Sequence, residues 1–281
     1  MDREIILATL AIGICGPVLL VLGRIPLKMR AGGTAKRSEQ IAWRRLWLPL
    51  LPPGILLGFL VGWALQEPDV CEVAIGPVVF LAVAPFAAIW LRAGFRATRA
   101  LLSRDRVPSA ATLGILRPHA IVSEELRARL DDQALDAVLE HEAAHARHFD
   151  PLRLWVAQIA TDLQWPSSAA RRRFKDWRIV LELARDEEAC DRGVDGPDLA
   201  AALIEAARLG TGGPNVLRPV VGLIDDDSGA FRERVERLLD RQAVPAASPP
   251  RRWSGWAFLT AAITVAIAIG AVCGEHIITG L

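Results

Sequence analysis

Tyrosine is absent from this chain of 281 residues, and lysine occurs only as Lys28, Lys36 and Lys175. Without tyrosine, no phenol can donate a hydrogen bond to a negative charge that develops during a reaction. Arginine supplies the rest of the 33 basic residues, which stand against 32 acidic ones for a net charge of +1. A chain so close to neutral lacks the excess positive charge of a general nucleic-acid binder. No internal repeat of about 20 to 50 residues is present, which excludes a solenoid or propeller.

Charge is missing altogether from four apolar segments, 5–23, 46–65, 73–91 and 255–273. Each has the roughly 20 residues of helix that a bilayer requires. With 52% hydrophobic residues and a mean hydropathy of +0.28, they predict a mainly α, polytopic membrane protein with four transmembrane helices. The first segment has no strong basic leader and reads as a retained span. Loop 24–45 carries Arg24, Lys28, Arg30, Lys36, Arg37, Arg44 and Arg45, whereas 66–72 carries no cation. Cations return after residue 91 and at Arg251 and Arg252. Positive charge collects on the cytosolic side, so both termini are expected outside a bacterial cell membrane, with 92–254 in the cytosol and 274–281 as a short outer tail. Cys71 and Cys273 would then share the outer side, where they could form a disulfide.

Residues 92–242 read as a helical, water-facing domain with a small β element, followed by a Pro/Ala linker, 243–254, into the fourth span. β-branched residues around Ile115 to Val122 supply the strand material. Ser123 can cap a short helix beginning at Glu124, and Asp131 or Asp132 a second helix carrying Leu135, Val138 and Leu139 at helical spacing. Pro151 ends or kinks that helix. Ser167 or Ser168 can cap a long helix reaching about Gly193, and Pro197 opens the next.

The second helix contains His141-Glu142-Ala143-Ala144-His145. Positions four apart lie about 40° apart around a helix, so both imidazoles can reach one ion with Glu142 beside it. Neutral imidazole suits Zn2+, which in a catalytic site takes three protein ligands and keeps a fourth position for water. About 0.005 matches to this pattern are expected by chance in such a composition. A third ligand must come from "ELARDEEACD", where Glu182, Asp186, Glu187, Glu188 and Asp191 compete and spacing alone does not choose among them.

"LEHEAAHARHFDP" followed by "DEEACDRGV", with "RPHAIVS" before and "RVERLLD" after, resembles the BlaR/MecR-type membrane zinc metallopeptidases and, more distantly, the HtpX and CAAX-prenyl-protease type. The resemblance implies a gluzincin-like helical metallopeptidase domain with one zinc held by His141, His145 and Glu187. It makes Glu142 the general base and Asp191 the partner of a ligand histidine. It does not supply a trigger, because those receptors carry a large extracellular sensor after their fourth span.

On this reading, zinc polarises a peptide carbonyl while Glu142 takes a proton from the attacking water. His148, His119, an arginine or a backbone N–H could assist the oxyanion. His148 otherwise reads as an ordinary histidine near the helix end, and Cys190 as a small buried packing residue. The substrate would be a protein segment in extended form along the edge near 113–122. It could be a transcriptional repressor or the chain itself. Two rival readings are a membrane-protein quality-control or processing protease and a non-proteolytic signalling scaffold; an intact Glu142 argues against the scaffold.

Overall fold

The structure is a computed structural model that describes residues 34–51, 54, 58, 77–102, 109–209, 221–222, 228–240 and 264. Among these residues the chain is mainly helical. Its elements are α1 (Ala35–Trp47), α2 (Pro77–Leu102), β1 (Ala110–Leu113), β2 (His119–Val122), α3 (Glu124–Arg127), α4 (Asp132–Arg147), α5 (Asp150–Leu163), α6 (Ser168–Asp191), α7 (Gly196–Arg208), β3 (Val221–Gly222) and α8 (Ser228–Leu239).

The helix starts follow local chemistry. Thr34, Ser123, Asp131 and Ser167 each accept a hydrogen bond from a first-turn backbone N–H, satisfying donors that the helix itself leaves unpaired. Pro151 and Pro197 sit in the first turns of α5 and α7, where the missing N–H is harmless. Pro151 therefore opens α5, while α4 has already ended at Arg147. Gly193 has φ +101°, the left-handed conformation that stops α6.

The sheet is antiparallel in the order β2-β1-β3. Its register pairs Ala110 with Val122 and Leu113 with His119 on one side, and Thr112 with Val221 on the other. The strands thus begin at Ala110, five residues before the predicted strand material, and residues 114–117 form the bend. Gly114 at φ +95° makes that bend possible, because a Cβ there would lie 2.5 Å from the carbonyl oxygen of Arg117.

Two apolar cores flank α4 and α6. One joins Ala110, Val138, Ala189, Cys190, Leu199, Leu203 and Leu238, bringing β1, α4, α6, α7 and α8 together. The other joins Trp43, Leu46, Trp47, Leu154, Phe174 and Trp177 from α1, α5 and α6. Trp177 is fully buried and its ring stands 4.9 Å from that of Trp43. Cys190 packs in the first core as the sequence suggested.

Among the described residues no helix is long and apolar enough to cross a membrane. This overturns the expectation of an integral membrane protein, and the sidedness and lipid partner built on it are not carried further. Segment 5–23 lies outside the described residues, as do most of 46–65 and all but residue 264 of 255–273. The linker 243–254, the tail 274–281 and the pair Cys71 and Cys273 lie outside them as well. The third apolar segment runs into α2, which continues to Leu102. Arg92 and Arg96 of α2 pair with Asp162 of α5 at 3.2 and 2.9 Å, and Trp155 Nε1 donates to the carbonyl of Ala97. These contacts dock the basic end of α2 on α5.

Candidate metal centre

α4 is enclosed by the sheet, α6 and α7, and its one-turn spacing directs His141 and His145 towards α6. Both histidines and Glu142 have no exposed surface. Nε2 of His141 and Nε2 of His145 stand 3.1 Å apart. From α6, Glu182 places Oε2 3.6 Å from the first nitrogen and Oε1 3.7 Å from the second. His141, His145 and Glu182 form a buried trio whose ligand atoms all lie within 4.8 Å of one another.

Each imidazole turns its other nitrogen to a carboxylate. Nδ1 of His141 is 3.0 Å from Asp186 Oδ1, and Nδ1 of His145 is 2.9 Å from Asp150 Oδ2. For His145, the hydrogen bond to Asp150 keeps the ring proton on Nδ1 and leaves the Nε2 lone pair for a cation, whereas His141 Nδ1 lies close to Asp186 without hydrogen-bond geometry. The point between the two Nε2 atoms can be occupied by a proton shared as a hydrogen bond or by a metal ion. Two nitrogens on one tetrahedral zinc, at about 2.0–2.1 Å each, would stand about 3.3 Å apart. The residues present therefore fit a tetrahedral divalent ion held by two imidazoles and one carboxylate.

Asp150 reaches His145 because α4 breaks just beyond it. Phe149 adopts φ 52°, ψ 41°, a left-handed conformation rare for a bulky residue, and this turns the chain so that Asp150 points back into the core. Arg185 grips Asp150 with Nε at 2.5 Å and Nη2 at 3.0 Å, and Arg153 adds Nη1 at 2.8 Å. Burial alone would raise the Asp150 carboxyl, but Arg185 and Arg153 outweigh it and hold it well below the usual carboxylate range.

Arg234 of α8 does the same for the other side. It donates to Asp186 at 2.8 and 2.9 Å and pairs with Glu182 at 3.1 Å. Against the effect of burial, Arg234 lowers both carboxyls. Burial would lower His141, yet Asp186 and Glu182 carry it up to about 9; His145 also moves up, against burial, through Glu182 and Asp150. Glu142 is raised, chiefly by burial, and the two histidines only partly oppose the shift.

The charges of the connected network can be counted. Glu39, Glu142, Asp150, Glu182 and Asp186 are buried carboxylates; Arg153, Arg185 and Arg234 are the guanidinium groups paired with them, Arg153 also pairing with Glu39. Arg185 also meets Glu188 at 3.6 Å. At the centre itself the carboxylates outnumber the guanidinium groups paired with them, a balance that favours a bound cation.

Glu142 stands beside the trio. Thr112 Oγ1 lies 2.7 Å from its Oε2 and 2.8 Å from its carbonyl oxygen, so β1 fixes this side chain through one shared hydroxyl hydrogen. The other carboxylate oxygen, Oε1, is buried without a hydrogen-bond partner.

Comparison with known proteins returned no match. Neither a family model, nor a curated protein, nor a solved structure aligns significantly with this chain.

The structure brings together His141, Glu142 and His145, and the carboxylate that completes the trio able to hold a metal is Glu182, not Glu187. Glu187 is five residues past Glu182 on α6, about 140° around the helix. It faces α1, where Oε2 accepts the backbone N–H of Lys36 at 3.0 Å. Glu182 faces the histidines instead. Asp191, at the C-terminal end of α6, is likewise replaced in its expected role by Asp186 and Asp150. His148 pairs with Glu188 at 2.5 Å, and His119, on β2, lies 3.3 Å from the carbonyl of Arg117. Neither belongs to the trio. Thr112, Asp150, Arg185 and Arg234 were not singled out from sequence. Glu182 and Asp186 did carry a signal, since they repeat the four-residue spacing of the histidines.

Proposed function

We propose that the protein is a zinc-dependent endopeptidase that cuts protein segments. The observation that carries this reading is the convergence of two Nε2 atoms and the Glu182 carboxylate on one buried point, with Glu142 alongside. His141, His145 and Glu182 would hold the ion. When bound, zinc in such a site acts as a Lewis acid on the scissile carbonyl and makes water more acidic.

The chain's own groups supply the rest. Glu142, raised by burial, is suited to take a proton from the attacking water and deliver it to the leaving amine. Its Oε1 is free to do so while Thr112 holds Oε2. Asp150 holds His145, through the Nδ1 hydrogen bond, in the tautomer that presents Nε2, and Asp186 lies 3.0 Å from Nδ1 of His141. Because β1 is already paired on both sides, an extended substrate would add to the sheet beyond β2 or β3 through main-chain hydrogen bonds.

A second reading, self-cleavage, is favoured by β3. Val221 pairs with Thr112, the residue whose hydroxyl touches Glu142, so a segment of the same chain already pairs with the strand that holds the base. A repressor-type protein substrate and a processing role remain proposals carried by the resemblance alone. The test is to incubate purified protein with zinc and a mixture of unfolded proteins, and to map new chain ends by mass spectrometry. Cleavage by wild type that Glu142→Gln abolishes supports the peptidase; new ends near 221–222 support the second reading. Zinc binding with no Glu142-dependent cleavage contradicts both.

A further inference from the structure

We infer that Glu39, on α1 and about a hundred residues before the motif, is a positioning residue for the metal ligand His145. The inference rests on the metal-centre reading. Glu39 is 6% exposed. It accepts hydrogen bonds from Arg153 Nη2 and from Trp177 Nε1, the latter at 3.2 Å. Arg153 turns Nη1 to Asp150 at 2.8 Å, and Asp150 meets Nδ1 of His145 at 2.9 Å. A continuous line of polar contacts therefore runs from α1 to the ligand. Arg153 is fixed within it by the faces of Trp43 and Trp177, 4.6 and 5.5 Å from its guanidinium carbon.

Charge gives this line its purpose. Arg185 is shared between Asp150 and Glu188, and Arg153 between Asp150 and Glu39. Without Glu39, Arg153 would have Asp150 as its one acidic partner, leaving its charge uncompensated beside a ligand that must receive a cation. Glu39 also divides the donors of Arg153 between two carboxylates, which leaves Asp150 a better acceptor for the His145 N–H. Partners one step behind a metal ligand typically change metal affinity by about 10–100-fold when altered, and Glu39 acts two steps further back, through Arg153 and Asp150.

A role confined to tying α1 to the core would look similar in the structure, so the test must separate the two. Glu39→Gln keeps an acceptor of the same shape for Trp177 and Arg153 but removes the charge. Glu187→Gln loosens the other tie between α1 and α6, at the Lys36 N–H, without touching the line to His145. Zn2+ affinity of the full chain is measured by chelator competition for wild type, Glu39→Gln, Glu187→Gln and the double variant Glu39→Gln/Arg153→Gln. We expect Glu39→Gln to weaken zinc binding about tenfold, Glu187→Gln to stay within about twofold of wild type, and the double variant to bind more tightly than Glu39→Gln. If Glu39→Gln does not fold, the double variant, equal to wild type in net charge, carries the test: it should bind zinc within about twofold of wild type, and a loss of about tenfold would overturn the inference. Equal losses for Glu39→Gln and Glu187→Gln, or a double variant that adds the two losses, would overturn the inference while leaving the metal centre standing. Absence of zinc binding by wild type would remove the metal centre and this inference with it.

Discussion

Nε2 of His141 faces Nε2 of His145 across 3.1 Å, while the opposite nitrogen of each ring lies against a buried aspartate. The two Nε2 atoms converge on one point, which a proton shared between the rings occupies in the metal-free protein and which a divalent ion can take over. The first prediction concerns the third ligand. Glu182→Gln should weaken zinc binding by at least about 100-fold, since it removes a direct carboxylate ligand. Glu187→Gln should bind normally. Metal content after dialysis against a weak chelator distinguishes the two variants, and the opposite order would return the ligand role to Glu187.

Much of this centre is visible in the sequence, and the rest is hidden for identifiable reasons. His141, Glu142 and His145 occupy one uninterrupted helix, so 3.6-residue periodicity places them together. The same rule applied to α6 groups Glu182 with Asp186 and sets Glu187 apart; the resemblance to peptidases with an E-x-x-C-D pattern pointed to Glu187 instead. Asp150 follows a left-handed residue, Phe149, where helical periodicity no longer applies. Arg234 and Glu39 reach the centre only through tertiary packing of α8 and α1, which no local pattern encodes. The caps Ser123, Asp131 and Ser167 were legible because each satisfies N–H groups within three residues. The apolar runs lie mostly outside the described residues, and the third continues into α2, whose C-terminal half docks on α5 through Arg92, Arg96 and Asp162.

pH should act in opposite directions on the metal-stripped protein and on metal affinity. His141 is raised to about 9 from an ordinary value of 6.5, so the stability it contributes is fully present below about 6.5 and is lost as pH rises towards 9. Protein stripped with a chelator should therefore melt at progressively lower temperature between pH 6.5 and pH 9. Zinc must displace the protons on the histidines, so its affinity should rise over the same interval with measurable proton release. Titration calorimetry in two buffers of different ionisation enthalpy measures that release. A pH-independent affinity would contradict the assignment of both histidines as ligands.

Arg234→Met leaves Glu182 and Asp186 buried without their cation. Breaking one side of such a pair typically destabilises by about 3–5 kcal/mol, so the stripped variant should melt well below wild type. Zinc supplies the missing positive charge and should raise the melting temperature of this variant more than that of wild type. Equal zinc-induced shifts would mean that Arg234 is not coupled to the centre.

Thr112→Val removes the hydroxyl that holds Glu142 while keeping the shape of the side chain. A lost hydrogen bond of about 1–1.5 kcal/mol corresponds to a roughly tenfold lower kcat with zinc content unchanged. Steady-state proteolysis normalised to bound metal reads this directly. A loss of zinc in parallel with activity would show that Thr112 supports the fold of the centre and not the orientation of the base.

The central claim is that the buried trio holds a hydrolytic ion beside Glu142. It is tested most directly by measuring peptide-bond cleavage per bound zinc in wild type and in Glu142→Gln. The account predicts one zinc per chain in both proteins, cleavage by wild type, and a rate lower by at least about 1000-fold in the variant, which lacks the proton acceptor. Equal cleavage by the two zinc-loaded proteins, or a wild type that binds one zinc and cleaves nothing, would contradict it.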